Sequence, residues 1–275
     1  MKRFLKLGIV PFLVAEGMLI IITSFISLLY QMMIGFYLGF GYFTGMLSSA
    51  NGLYGQLQEY LTQDVMYTIS VIALTIWGLL SFFWYQSETR GELGIPKKGF
   101  ISRKTLTLFL LLGLGCQFFF SGMMSLLQSG FPELFKSYNE TINTLVGGKL
   151  YIVILYTVIV APVAEELVFR GVVLHKARKV LPFLGANLLQ ATYFGIYHQN
   201  VIQGIYAVLI GFLLGMVCRK YHSVYASILL HMLVNVSAFL VMLLPVSTVG
   251  NVIMLIGGAG LAIIPIIGLK LWRYQ

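Results

Sequence analysis

The segment 150-LYIVILYTVIVAPVAEELVFRGVVL-174 is long and apolar enough to cross a bilayer, yet it carries Glu165, Glu166 and Arg170. A hydrocarbon core about 30 Å thick takes roughly 20 apolar residues of helix. An ionisable side chain at that depth is costly, and such residues persist where they pair, face a cavity or do chemistry. What surrounds these three in the chain decides which.

With 59% apolar and 10% charged residues and a mean hydropathy of +0.89, the chain lies far from soluble domains, of which about a quarter is charged. The composition implies an all-α, polytopic transmembrane helical bundle. Apolar runs at 10–32, 65–86, 105–128, 150–174, 183–198, 201–218, 224–244 and 251–269 give about eight spans. Lys and Arg stay in cytoplasmic loops. With the N-terminus inside, every basic residue outside the spans except Lys136 and Lys149 falls in the cytosol, and so do both termini. Arg170 is the one basic residue within a span. The net charge of +9 is therefore a topology signal, and nucleic acid is not implied as a partner.

The start MKRFLK followed by a long apolar run lacks a small-residue cleavage site and reads as a retained first span. Cys116 and Cys218 both fall inside spans, so they read as packing residues. The stretch 35-GFYLGFGYFTGMLSSANG-52 reads as an apolar external or re-entrant loop. A cytosolic hinge is expected at 87-SETRGELGIPKKGFISRK-104, whose Gly and Pro residues stand among charges. It divides residues 1–100, a two-span N-terminal region, from residues 101–275, a six-span unit.

The polar residues within spans are few. Glu166 and Arg170 stand at i, i+4 and can pair on one helix face. Glu165 is rotated about 100° from its neighbour and is expected to face a different wall. Pro162 removes a backbone donor one turn earlier. His231 and Asn235 repeat the i, i+4 spacing, so both can address one cavity. Glu165 lies eleven residues before Lys176 and His231 eleven after Lys220, which puts both roughly 16 Å from the cytosolic edge at about 1.5 Å per residue. His198 fits less easily: a straight helix from Lys179 carries it roughly 28 Å, near the outer face. Pro182 and Gly185 suggest that 175-HKARKVLPFLG-185 runs partly along the interface first. Glu16 is expected to be interfacial, and His175 and His222 to be solvated in basic loops.

Each feature alone has a structural explanation, as an ion pair or as the hydrogen-bonded glue of membrane bundles. Together, a carboxylate pair and two histidines supply a general base and electrophilic groups for hydrolysis. Asp64 is the only Asp, which excludes a two-aspartate protease, and no Gly-x-Ser occurs. A transporter would call for matching broken helices in two halves, and none is evident.

The strings 165-EELVFR-170, 194-FGIYH-198 and 231-HMLVN-235 follow one another as E-E-x-x-x-R, F-x-x-x-H and H-x-x-x-N. In that order they resemble the CPBP family, also called Abi or CAAX protease-like, with its type II CAAX prenyl endopeptidases and bacteriocin-processing or immunity proteins. The resemblance covers roughly residues 105–245. It implies that residues 101–275 are the catalytic domain of a glutamate intramembrane protease in a bacterial cell membrane, acting on a membrane-associated or prenylated peptide from the cytosolic side. Carried over, Glu165 activates water with His198, His231 and Asn235 hold the oxyanion, and Glu166 and Arg170 support the site. Glu165, His198 and His231 also match a His₂Glu zinc set by residue type, although no H-E-x-x-H is present. Metal-independent water activation is the favoured expectation, zinc the other. A non-catalytic immunity or binding protein is the alternative function.

The topology gives a first test. Reporter fusions after residues 60, 140 and 247 are expected to report the external side, and a cytosolic signal from any of them removes at least one span.

Overall fold

The computed structural model describes residues 1–44, 63–89, 102–244 and 247–271. They are helical almost throughout: α1 (Lys2–Phe43), α2 (Gln63–Thr89), α3 (Arg103–Gly130), α4 (Lys136–Val146), α5 (Leu150–Ala177), α6 (Phe183–Tyr197), α7 (Val201–Tyr221), α8 (Val224–Val241) and α9 (Thr248–Leu269). Seven of these, all but α4 and α6, are long and apolar enough to cross a membrane. Without water in the hydrocarbon, backbone donors and acceptors must be satisfied within each segment, which is what helices do. Large apolar side chains cover the outside, among them Ile21, Met33, Phe36 and Ile256. The molecule is an integral, multi-pass membrane protein.

Three expectations change. The stretch from Gly35 to Phe43 is not loop: α1 continues through it, because at membrane depth an unwound, lipid-facing backbone is costlier than glycines in a helix. Residues 45–52, and the hinge residues 90–101, lie outside the described residues. The eighth span is α6, whose 15 residues rise only about 22 Å, short of a full crossing. Its apolar composition fits a buried element as well as a lipid-facing one. It runs antiparallel to α7, with Gly195 against Gly204 and Asn187 against Gly215, so it still carries the chain through most of that depth. Finally, 175–185 makes no long interfacial run: α5 ends at Ala177 and five residues turn the chain into α6.

Contacts tie the basic ends together. Leu108 at the start of α3 meets Gly268 at the end of α9; Phe109 meets Tyr221 at the end of α7. Glu88 at the end of α2 bonds Lys176 and Lys179, and Arg3 lines a recess with Arg178 and Lys179. Both ends of the described chain thus lie at the same end of the bundle. At the other, Asp64 takes Lys149 at 3.3 Å and Tyr67 donates to the Thr144 carbonyl, which fastens the short amphipathic α4.

One core joins α3, α6, α7, α8 and α9 around Phe109, Leu112, Leu214 and Leu230. A second joins α1, α2, α5, α6 and α7 around Phe12, Trp77, Val168 and Phe169. The α3/α9 pair is held by glycines at its contact, as small residues let membrane helices approach. A Cβ at Gly115 would lie 2.5 Å from the Ala262 nitrogen, and one at Gly258 would overlap the Phe119 backbone, whereas one at Gly257 meets nothing within 4 Å. Gly258→Ala is therefore expected to destabilise by about 1–3 kcal/mol, the usual cost of overpacking, and Gly257→Ala to leave the melting temperature in detergent unchanged. Equal melting temperatures for the two variants would contradict the close α3/α9 approach.

Candidate active site

The carboxylates sit where α5 departs from α-helical winding. Ala161–Glu166 is α-helical, but the turns on both sides, Leu155–Val160 and Leu167–Leu174, are π-helical. Pro162 explains the first: its ring crowds the carbonyl four residues back and it offers no N–H, so the preceding turn widens. π turns are frequent at functional sites.

Glu166 and Arg170 are fully buried and pair, Nη1 to Oε1, at 2.7 Å. The guanidinium also donates from Nη2 to the Gly211 carbonyl at 2.9 Å and lies over the Phe194 ring at 4.6 Å. From α8, His231 Nδ1 lies 2.9 Å from the same Glu166 oxygen. A carboxylate only accepts, so Nδ1–H donates, and Nε2 is left facing Glu165 Oε2 across 3.8 Å. The two carboxylates do not face wholly different walls: one imidazole lies between them, and each meets one of its nitrogens. Their remaining surroundings do differ, since Glu165 bears electrostatically on Tyr156 and Tyr197.

His198 caps α6. Its Nδ1 is 2.7 Å from the Phe194 carbonyl, so Nδ1–H donates and Nε2 is the free nitrogen of the neutral ring. Phe194 packs edge-on against His198 at 4.8 Å and His231 at 5.7 Å. The Phe194 side chain bridges the extra turn, so His198 comes within electrostatic reach of Glu165 and His231. Asn235 lies one turn beyond His231 and donates from Nδ2 to the Thr157 carbonyl at 2.8 Å. One of its two N–H groups is thus used by α5, and it is tied beside the Glu166–His231 network without bonding to it.

Among the described residues no group of three or more His, Cys, Asp or Glu is arranged to hold a metal ion. The Glu166 bond occupies His231 Nδ1 and leaves Nε2 as the nitrogen that faces Glu165, and a carboxylate on the second ring nitrogen is also the arrangement that orients metal-ligating histidines.

Sequence reading missed several neighbours. Glu16 is half-buried, with Oε1 buried and unpartnered among the described residues, and it bears electrostatically on Glu165. Ala15 beside it accepts from Trp77 Nε1 at 2.8 Å, which fixes that turn of α1. Gln190 donates to the Gly211 carbonyl and to Asn187, backing the Arg170 contact. The signal for this wall was present as 211-GFLLG-215, a small-xxx-small pattern of close helix packing. A Cβ at Gly211 would stand 2.9 Å from the Phe194 ring and 3.2 Å from Arg170 Nη2.

Residues 147–237 match the family model described as type II CAAX prenyl endopeptidase Rce1-like. Over these residues the chain is similar to that family. They run from α5 into α8 and hold the seven residues that carried the resemblance to the CAAX proteases. Neither a curated protein nor a solved structure matches the chain. Over that segment the chain is similar to a peptidase family, and its seven long apolar helices belong to a bilayer.

Arg170 has the most to lose from change. Its removal leaves Glu166 charged and buried, an imbalance that costs about 3–5 kcal/mol. Arg170→Ala is expected to lower the melting temperature in detergent by far more than Arg103→Ala at the start of α3; similar values would remove the pair from its structural role.

Proposed function

We propose that the protein is an intramembrane endopeptidase of CAAX type, which hydrolyses a peptide bond in a membrane-associated or prenylated precursor. The observation that carries this reading is the His231 imidazole between two buried carboxylates, with one nitrogen fixed by Glu166 and the other facing Glu165. Two groups 3.8 Å apart leave no room for a water between them, but one water placed beside the gap can hydrogen-bond to both.

In this reading Glu165 accepts a proton from that water while its oxygen adds to the scissile carbonyl carbon. His198, held by Phe194, presents Nε2 to orient the water. His231 Nε2 in its protonated form and the second N–H of Asn235 donate to the oxyanion. Collapse of the tetrahedral intermediate breaks the C–N bond, and Glu165 returns its proton to the leaving amine. Glu166 and Arg170 hold His231 in place. In this reading proton transfer by Glu165 and oxyanion donation by side chains need no metal. The basic end of the bundle faces the cytosol by the positive-inside rule, and the substrate enters from that side of a bacterial cell membrane. A non-catalytic immunity role does not call for a carboxylate opposite a fixed imidazole nitrogen.

Mass spectrometry of membrane peptides from cells carrying the active protein, against cells carrying Glu165→Gln, is expected to reveal cleaved species that disappear in the variant. Identical peptide sets, with both proteins at equal abundance, would sink the peptidase reading. With a peptide found in this way as substrate, Asn235→Ala is expected to retain a rate lowered by about 10²–10³. Removal of zinc, checked by elemental analysis, is expected to leave turnover intact; loss of activity that zinc restores would assign water activation to the ion.

A further inference from the structure

At the basic end of the bundle, Arg178 and Arg219 lie against one aromatic ring. Their guanidinium carbons are 5.9 Å and 4.2 Å from the centroid of Phe183, and the two cations bear on each other electrostatically. Neither forms an ion pair with a carboxylate among the described residues. The acid nearby in the fold, Glu88, is taken by Lys176 and Lys179 at 2.5 Å and 3.2 Å. Between the ends of α5 and α7, a recess is walled by Arg178, Arg219, His175 and His222, with Arg170 also in its wall. Arg170 Nε is buried and has no hydrogen-bond partner among the described residues, while its two terminal nitrogens hold Glu166 and Gly211. Arg178 also lines a second recess, of about 380 Å³, with Arg3 and Lys179.

Topology alone puts basic residues at this end. It does not require two guanidiniums to share a ring, nor a third arginine, whose buried Nε lacks a partner among the described residues, to line the same recess. We propose that this recess binds a phosphate-bearing anion, presented either by the headgroup of an anionic phospholipid or by a soluble phosphate ester. Guanidinium groups match phosphate oxygens in paired hydrogen bonds, and an anion between Arg178 and Arg219 relieves their mutual repulsion. The position is that of a headgroup, because both arginines stand where spans end, and basic pockets between transmembrane helices on the cytoplasmic side take such groups. Arg170 connects the recess to Glu166, so an occupant stabilises the fold through the ion pair at its centre.

The test titrates the purified full-length chain in a neutral maltoside detergent with dioctanoyl phosphatidylglycerol, dioctanoyl phosphatidylcholine or inorganic phosphate, and follows the melting temperature. A ligand that binds the folded state alone raises it. Phosphatidylglycerol is expected to raise it, with the half-effective concentration shifted upward by about tenfold or more in R178Q/R219Q, a loss of about 1.4 kcal/mol. Inorganic phosphate acting alone through the same two arginines, with the lipid adding nothing, supports the site and assigns it to soluble esters. An equal effect of phosphatidylcholine, or an unchanged response of the double variant, overturns the proposal. Native mass spectrometry of the unaltered protein covers the case in which the double variant fails to fold: preferential retention of phosphatidylglycerol over phosphatidylcholine, or retention of phosphate alone, is expected, and equal retention of the two lipids with no phosphate bound overturns the proposal.

Discussion

One carboxylate oxygen organises this bundle. Glu166 Oε1 accepts from Arg170 within α5 and from His231 on α8, and Arg170 extends the link to the Gly211 carbonyl on α7. Three helices therefore meet at one buried charge pair. Two charges withdrawn from water carry a large desolvation penalty, offset only where geometry is good and the other polar atoms find partners. Part of the surrounding wall answers that requirement: the guanidinium lies over the Phe194 ring, Gly211 leaves room for it, and Gln190 shares the same carbonyl, while Arg170 Nε and Glu166 Oε2 have no hydrogen-bond partner among the described residues. The same bond fixes which nitrogen of His231 carries its hydrogen toward Glu166. The direction of the other nitrogen, toward Glu165, follows from it.

What was legible in the sequence was local. Span positions follow from apolar length, because lipid imposes one requirement on every crossing. The Glu166–Arg170 pair follows from a spacing of four within one helix. Contacts that depend on how helices cross were not legible. Nothing in the spacing of α5 tells that His231 would touch both carboxylates, since the π turns beside Pro162 and the path of α8 decide it. Glu16 lies in a separate helix some 150 residues earlier in sequence, and no local pattern reaches that far. α6 was misjudged for a different reason: hydropathy scores the need to avoid water, which a short buried helix and a lipid-facing one share. The same limit applied to Gly35–Phe43, where glycines and aromatics suggested a loop although the bilayer rewards continued hydrogen bonding.

The Rce1-like segment ends at residue 237, yet the site is not complete within it. On one side, α1 and α2 build a wall of Phe12, Ala15 and Trp77 against Phe169 and Phe194, and α1 adds Glu16 beside Glu165. On the other side, α3 and α9 clasp each other through Gly115, Gly122 and Gly258 and press the α6–α8 core into place. The two flanks differ in kind. The α3/α9 clasp makes backbone contacts and contributes no ionisable group to the site. The α1/α2 wall is aromatic, and it holds Glu16, whose Oε1 is buried and unpartnered among the described residues and which bears electrostatically on Glu165. Support and surroundings are thus divided between the two flanks: Tyr156, Tyr197 and His231 surround Glu165 from within the matched segment, and Glu16 adds to them from outside it.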